Sequence, residues 1–242
     1  MLILGIETAT PQVGCALGAH EGVLASFHAS KGRRHAETLA PAIEFICRQA
    51  RMDLGDVGAV AVDVGPGLFT GLRVGVVTAK ALAMALRVPV VGISSLDLLA
   101  FPVRWTHRRI VSVVDARRGE VFYGFYRQVP GGVQRVSEHR VASPDELSSE
   151  ILASGEDCLA VGDGALRYAD RLAELIGVDV AEAGLAYPSA ASLVQLAHAR
   201  ALREDFVNSW ELAPVYLRRA DAEIDWRDRI RVRPGAGTEP AP

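Results

Sequence analysis

The stretch Leu2-Ile-Leu-Gly-Ile-Glu7 and its echo Ile110-Val-Ser-Val-Val-Asp115 decide the fold. Each is a short apolar run closed by an acid, the pattern of a buried strand that delivers a carboxylate to a turn. Outward from the first lie a turn at Thr10-Pro11 and two further β-like runs, 13–17 and 23–29, spaced closely enough to predict antiparallel neighbours. A 3.6-residue stripe at Leu39, Ile43 and Ile46 predicts an amphipathic helix over 35–50, with Pro41 as its irregularity. The run 57–64 is continuously apolar and β-branched, as in a strand covered on both faces of a parallel sheet. An Ala/Val/Leu-rich helix follows over 70–86 with Thr70 as N-cap, then Pro89, a strand over 90–93 and a short helix over 96–100.

From Asp115 the pattern starts again: a β run over 121–126, a Gly131-Gly132 turn, a third run ending near Val141, a helix over 144–153, a strand over 159–161 and a helix over 166–176. Both halves read βββαβα. Such a repeat of mixed α/β lobes, each with an acidic turn after its first strand, is expected of a ligand cleft of the actin and hexokinase type. The expected lobes are residues 1–105 and 106–220; a last helix over 190–204 could pack on either, and a disordered tail is expected over 221–242.

Composition narrows the function. The chain has 242 residues, 50% hydrophobic and 23% charged, which is globular. Its net charge of −3 supplies no global positive field for nucleic acid. A cytoplasmic protein without a membrane span is expected, since no apolar run approaches the ~20 residues a span needs. Cys15, Cys47 and Cys158 show no CxxC spacing, so a disulfide framework or cysteine zinc site is disfavoured.

The chemistry-bearing segment is Gly65-Pro-Gly-Leu-Phe-Thr-Gly-Leu-Arg-Val-Gly75, between a buried strand and a helix, where free N–H groups favour an anion. Its register fits neither GxGxxG nor GxxxxGK[ST]. Anion binding at Gly65, Gly67, Thr70 and Gly71 and close backbone packing stand as equal readings. Glu7-Thr-Ala-Thr10 is either a carboxylate poised over a cleft, as for Mg²⁺ in a kinase, or a turn held by threonine hydroxyls. His35 opens a helix, where a histidine caps or packs more often than it reacts. The six histidines form no HxxH, HxxxH or HExxH pair, and no GxSxG elbow is present.

The segments LGIETAT, RRHAETLAPAI, GPGLFTGLRVG, VVTAKALAMA, VVGISSLDLLA, VVDARRGEVFYG, GDGA and PVYLRRA, in this order, resemble the TsaB (YeaZ) family over about residues 2–220. The resemblance implies an actin-like ATPase fold (ASKHA, ribonuclease H-like) of two lobes, each a mixed five-stranded sheet flanked by helices. It implies a non-catalytic subunit for synthesis of N6-threonylcarbamoyladenosine at tRNA position 37. Such a subunit pairs with the catalytic TsaD, supports the ATPase TsaE, forms a homodimer in TsaD's absence and meets tRNA mainly through the complex.

Catalytic relatives carry an Asn-His-x-x-Gly-His type metal motif where this chain has Ser94-Ser95-Leu96-Asp97-Leu98, so no metal site is expected, and Glu7 and His35 become inherited positions. No intrinsic cofactor is expected, with ATP or ADP conceivable only at a subunit interface. The apolar helices then need a partner, and Leu39, Ile43, Leu72, Val76, Ala79 and Ala83 are the expected interface. The competing expectation is an active enzyme of the same fold, an ATP-dependent phosphotransferase or a glycoprotease-like metallopeptidase.

Overall fold

A computed structural model of the chain describes residues 1–30 and 34–218; the tail expected over 221–242 lies outside them. The repeat is visible in the strand order. β1 (Leu2–Glu7), β2 (Val13–Ala19), β3 (Gly22–Ala29), β4 (Val57–Gly65) and β5 (Val90–Ser94) form one sheet in the order β3-β2-β1-β4-β5. β6 (Arg109–Arg117), β7 (Glu120–Val129), β8 (Gly132–Arg135), β9 (Arg140–Ala142), β10 (Cys158–Val161) and β11 (Val178–Val180) form the other in the order β11-β10-β6-β7-β8, with β9 paired to β7. In both, the first three strands are antiparallel and the last two run parallel to the first. This is the expected two-lobed architecture of the actin-like ATPase type, with one departure. The second sheet has six strands rather than five, because the run expected to end near Val141 divides into β8 and β9.

The helices are α1 (His35–Ala50), α2 (Phe69–Leu86), α3 (Ser95–Ala100), α4 (Pro144–Ser154), α5 (Asp163–Arg167), α6 (Ala169–Ala173) and α7 (Ala190–Ala201). The single helix expected over 166–176 is broken at Tyr168, whose φ of −111° and ψ of 27° leave the helical basin. Thr70 is not the N-cap of α2: the helix begins one residue before it, Leu68 holds the cap position, and no side chain caps it. Ser94 does cap α3, accepting from Leu96 N at 3.2 Å.

Period-two alternation builds two cores on the first sheet. Leu2, Leu4 and Ile6 of β1 and Val60 and Val62 of β4 pack beneath α1 and α2. Ile3, Ala59 and Ala61, on the opposite face, pack beneath Leu193, Val194 and Ala197 of α7. The last helix therefore covers the first lobe, although it follows the second in the chain. Beyond it the chain returns: Val207 bridges Val90, Leu212 is buried, Val215 N donates to Val64 O at 2.7 Å, and Arg218 reaches Glu120 of the second lobe at 2.8 Å.

The lobes meet through Leu96, Leu99 and Ala100 of α3 against Ile110, Val114, Phe122, Tyr126 and Val161. Ser112, fully buried on β6, leaves its hydroxyl without a partner. A lone buried hydroxyl costs ~1 kcal/mol or more, so Ser112→Ala should hold or raise stability by about that amount in urea denaturation.

Candidate functional site

Both opening strands carry an acid at or near their C-terminal end, Glu7 on β1 and Asp115 on β6, and the two lobes neutralise it in opposite ways. In the second lobe Asp115 meets two guanidinium groups, Arg117 at 3.0 Å and Arg167 at 2.9 Å, while its backbone N–H donates to Asp163 at 3.0 Å. In the first lobe Glu7 is fully buried and no cation reaches it among the described residues. Its Oε1 accepts from Ala9 N at 2.9 Å, closing the turn after β1. Burial, then the charge of Asp63, pushes its carboxyl well above the usual carboxylate range. Asp63 lies near the C-terminal end of the parallel neighbour β4. Its Oδ1 accepts from Gly65 N at 2.8 Å and Ser95 Oγ at 2.7 Å, and burial pushes it up to about 7.

The glycine-rich segment folds against this turn. A Cβ at Gly67 would stand 2.2 Å from Ala9 O, one at Gly71 would stand 2.1 Å from Thr8 O, and one at Gly75 would meet Thr8 Oγ1 at 2.3 Å. Thr8 Oγ1 donates to Gly71 O at 2.8 Å, and Leu68 N donates to Ala9 O at 2.6 Å. The chain itself thus fills the Cβ side of these glycines; of the four expected anion-site residues Thr70 is exposed, Gly67 half-buried, and Gly65 and Gly71 buried. His35 is buried with Nε2 2.8 Å from Thr10 O. A carbonyl can only accept, so Nε2 carries the hydrogen and the imidazole ties α1 to the same turn.

Asp97, within the segment that replaces the histidine motif, also has a structural engagement. Tyr126 Oη donates to Asp97 Oδ1 at 2.8 Å across the lobes and lies 2.7 Å from His139 Nε2. The phenol has one proton, so with that proton on Asp97 the imidazole must donate in turn. Burial holds the phenol proton tightly and keeps the His139 pKa below its ordinary value. Among the described residues no group of three or more His, Cys, Asp or Glu side chains is placed to hold a metal ion. The roles of Asp63, Ser95 and Tyr126 were missed by sequence reasoning. Asp63 alone carried a signal, being the one charge in the apolar run 57–64.

The expected interface is corrected by burial. Leu39, Leu72 and Ala79 are 0–1% exposed and Val76 and Ala83 2–3%, so all five are core residues. α2 is apolar nearly all round, and its small residues decide its orientation. Gly71, Gly75, Ala79 and Ala83 recur every four residues and form the buried side, which turns Val77 (64% exposed), Ala81 and Met84 (50%) outward. With Thr70 and Val74 these form a 4-3-4-3 seam, the spacing with which one helix packs on another. Beside it, between α1 and α2, lies a cavity of about 530 Å³ whose floor includes Ile43, Cys47, Met52, Leu54 and Leu82, with Arg48 and Arg51 among its walls. Ile43 alone of the six expected residues faces this space.

Duplicated mixed sheets, each with a buried acid near the C-terminal end of its first strand, are the two-lobed architecture of the actin-like ATPase class. The chain belongs to the family described as TsaD: tRNA N6-adenosine threonylcarbamoyltransferase, whose model matches residues 22–226. It is similar to the tRNA threonylcarbamoyladenosine biosynthesis protein TsaB of Bacillus subtilis, 28% identical over 93% of this chain and 98% of that protein. TsaB of Escherichia coli is 29% identical over 90% of this chain and 95% of its own length. The structure of YeaZ from Pseudomonas aeruginosa superposes with a TM-score of 0.73 at 27% identity, covering 89% of this chain and 99% of that one.

Proposed function

We propose that this chain is a non-catalytic subunit of tRNA threonylcarbamoyladenosine synthesis, and that it activates a TsaD-like transferase by docking through α2. The observation that carries the reading is the contrast between the two surfaces. The inherited positions Glu7 and His35, and Thr8 and Asp63 beside them, each bond backbone of their own lobe, whereas the seam of α2 presents Val77 and Met84 to solvent. A contiguous apolar seam beside an apolar groove is the anatomy of a partner surface. The relatives named TsaB support the pathway.

A second copy of the chain would use the same seam when the transferase is absent. Support of a TsaE-like ATPase, contact with tRNA through the complex and a cytoplasmic location belong to the same reading. ATP or ADP bound at the subunit interface belongs to the same reading.

The test is reconstitution of threonylcarbamoyl transfer from purified subunits with and without this chain. The chain should form a complex with the TsaD-like subunit in size exclusion, restore transfer, and show no peptidase or kinase turnover alone. Absence of both complex and restoration refutes the proposal. Binding of ATP and Mg²⁺ with turnover, abolished by Glu7→Ala, would instead establish a phosphotransferase.

A further inference from the structure

The acids at the C-terminal end of β1 and near that of β4 are neighbours by register. Ile6 pairs with Val62, so Glu7 and Asp63 stand one step further along adjacent parallel strands, on the face covered by α7. Adjacent strands lie ~4.8 Å apart, within reach of two carboxyl groups. Both residues are completely buried, and each has one engaged oxygen and one without any hydrogen-bond partner, Glu7 Oε2 and Asp63 Oδ2.

The protonation states can be counted. Two ionised carboxylates would place like charges side by side in a low dielectric, which neighbouring acids avoid by keeping a proton. Two protonated carboxyls would leave one O–H without an acceptor, because Asp63 Oδ1 already takes Gly65 N–H and Ser95 O–H. A single proton gives both orphan oxygens a partner. A divalent cation would want about six oxygen ligands, and no third acid stands near enough to complete a cluster among the described residues.

Among the described residues the surroundings offer no alternative counter-ion. Asp97 of α3 adds further negative charge, and its own neighbour Arg200 of α7 lies 3.7 Å from Asp97 rather than on the pair. His35 of α1 is turned to Thr10 O, and from the β1–β2 turn only the Gln12 amide and backbone N–H groups favour ionised Glu7.

We propose that Glu7 and Asp63 share one proton at neutral pH, held between Glu7 Oε2 and Asp63 Oδ2, and that this hydrogen bond clamps the ends of β1 and β4 together. The inherited cleft carboxylate is thereby a structural acid, and the clamp holds the turn against which the glycine-rich segment and α2 are seated. The inference goes beyond the proposed subunit role and does not depend on any partner.

The sign of the pH dependence follows. Both groups bind protons more tightly folded than unfolded, so the stabilisation is complete below the ordinary carboxylate range and is lost as pH rises through the folded-state values, about 7 for Asp63 and well above the ordinary range for Glu7. One proton released on unfolding makes the folding constant fall by up to about tenfold per pH unit across that rise.

Infrared spectroscopy of the full chain at pH 7 should show a carbonyl stretch of a protonated carboxylic acid that disappears in Glu7→Gln and in Asp63→Asn. It should persist in Asp163→Asn, which removes the half-buried acid of the other lobe whose pKa burial also raises. Urea midpoints from pH 5 to 9 should fall with pH in the wild type and flatten in the two amide variants. The proposal is overturned if the wild type lacks the band, or if its stability is flat over this range. It is also overturned if Mg²⁺ or Mn²⁺ raises the midpoint of the wild type and neither variant, which would make the pair a cation site. Should the variants not fold, the wild-type band and slope still decide.

Discussion

Val77→Glu is expected to leave the fold intact and to weaken pairing with a TsaD-like subunit by about a hundredfold. Val77 is 64% exposed, so the glutamate is solvated in the free protein and costs its stability little. In a closed helix–helix seam the same carboxylate would be desolvated without a partner, a penalty of ~3 kcal/mol. Titration calorimetry against the partner measures the loss, and circular dichroism shows that the free chain is unchanged. Val76→Glu, one residue away, is the contrast: at 3% exposure its charge would enter the core beneath α2, and the protein should fail to fold. Wild-type affinity in folded Val77→Glu would exclude this face of α2 from the interface.

Gly71→Ala should cost about 3 kcal/mol or more, although it adds one methyl group. The new Cβ would stand 2.1 Å from the carbonyl oxygen of Thr8, and a backbone atom cannot swing aside as a side-chain tip can. Relief requires parting α2 from the β1–β2 turn, which breaks the 2.8 Å bond from Thr8 Oγ1 to Gly71 O. Gly55→Ala is the control, because nothing lies within 4 Å of its added Cβ and its φ is ordinary. Urea midpoints of the two variants, measured together, separate packing from generic glycine effects. Equal midpoints would mean that the tight seat on Thr8 does not exist.

Much of the architecture was legible because it rests on local patterns. Apolar runs closed by acids located β1 and β6, a continuous apolar run located β4, and short spacing marked the hairpins. β11 was illegible for a physical reason: Val178-Asp179-Val180 is three residues long, and its pairing with β10 rather than its composition makes it a strand. The break at Tyr168 is equally a tertiary outcome.

For the site, position was legible and role was not. Glu7 and His35 were found at the cleft, but a carboxylate in sequence does not show whether it faces solvent, a cation or another acid. Asp63 became significant only when the register placed it beside Glu7. The interface erred because an almost wholly apolar helix has no polar face to mark its outside. The row Gly71, Gly75, Ala79, Ala83 held the missing information, since small residues repeated every four positions mark where a helix lies closest to its sheet.

The return of α7 and the segment after it to the first sheet bears on how the polypeptide is made. A ribosome releases β1 to β5 early, yet Ile3, Ala59, Ala61 and Ile93 stay uncovered until residues 190–201 emerge. Nearly the whole second lobe is synthesised in that interval, with a bare apolar sheet face waiting at its side. A nascent chain stalled between the lobes is therefore an adhesive species, a natural client for chaperones, and the lobe made first becomes the lobe finished last.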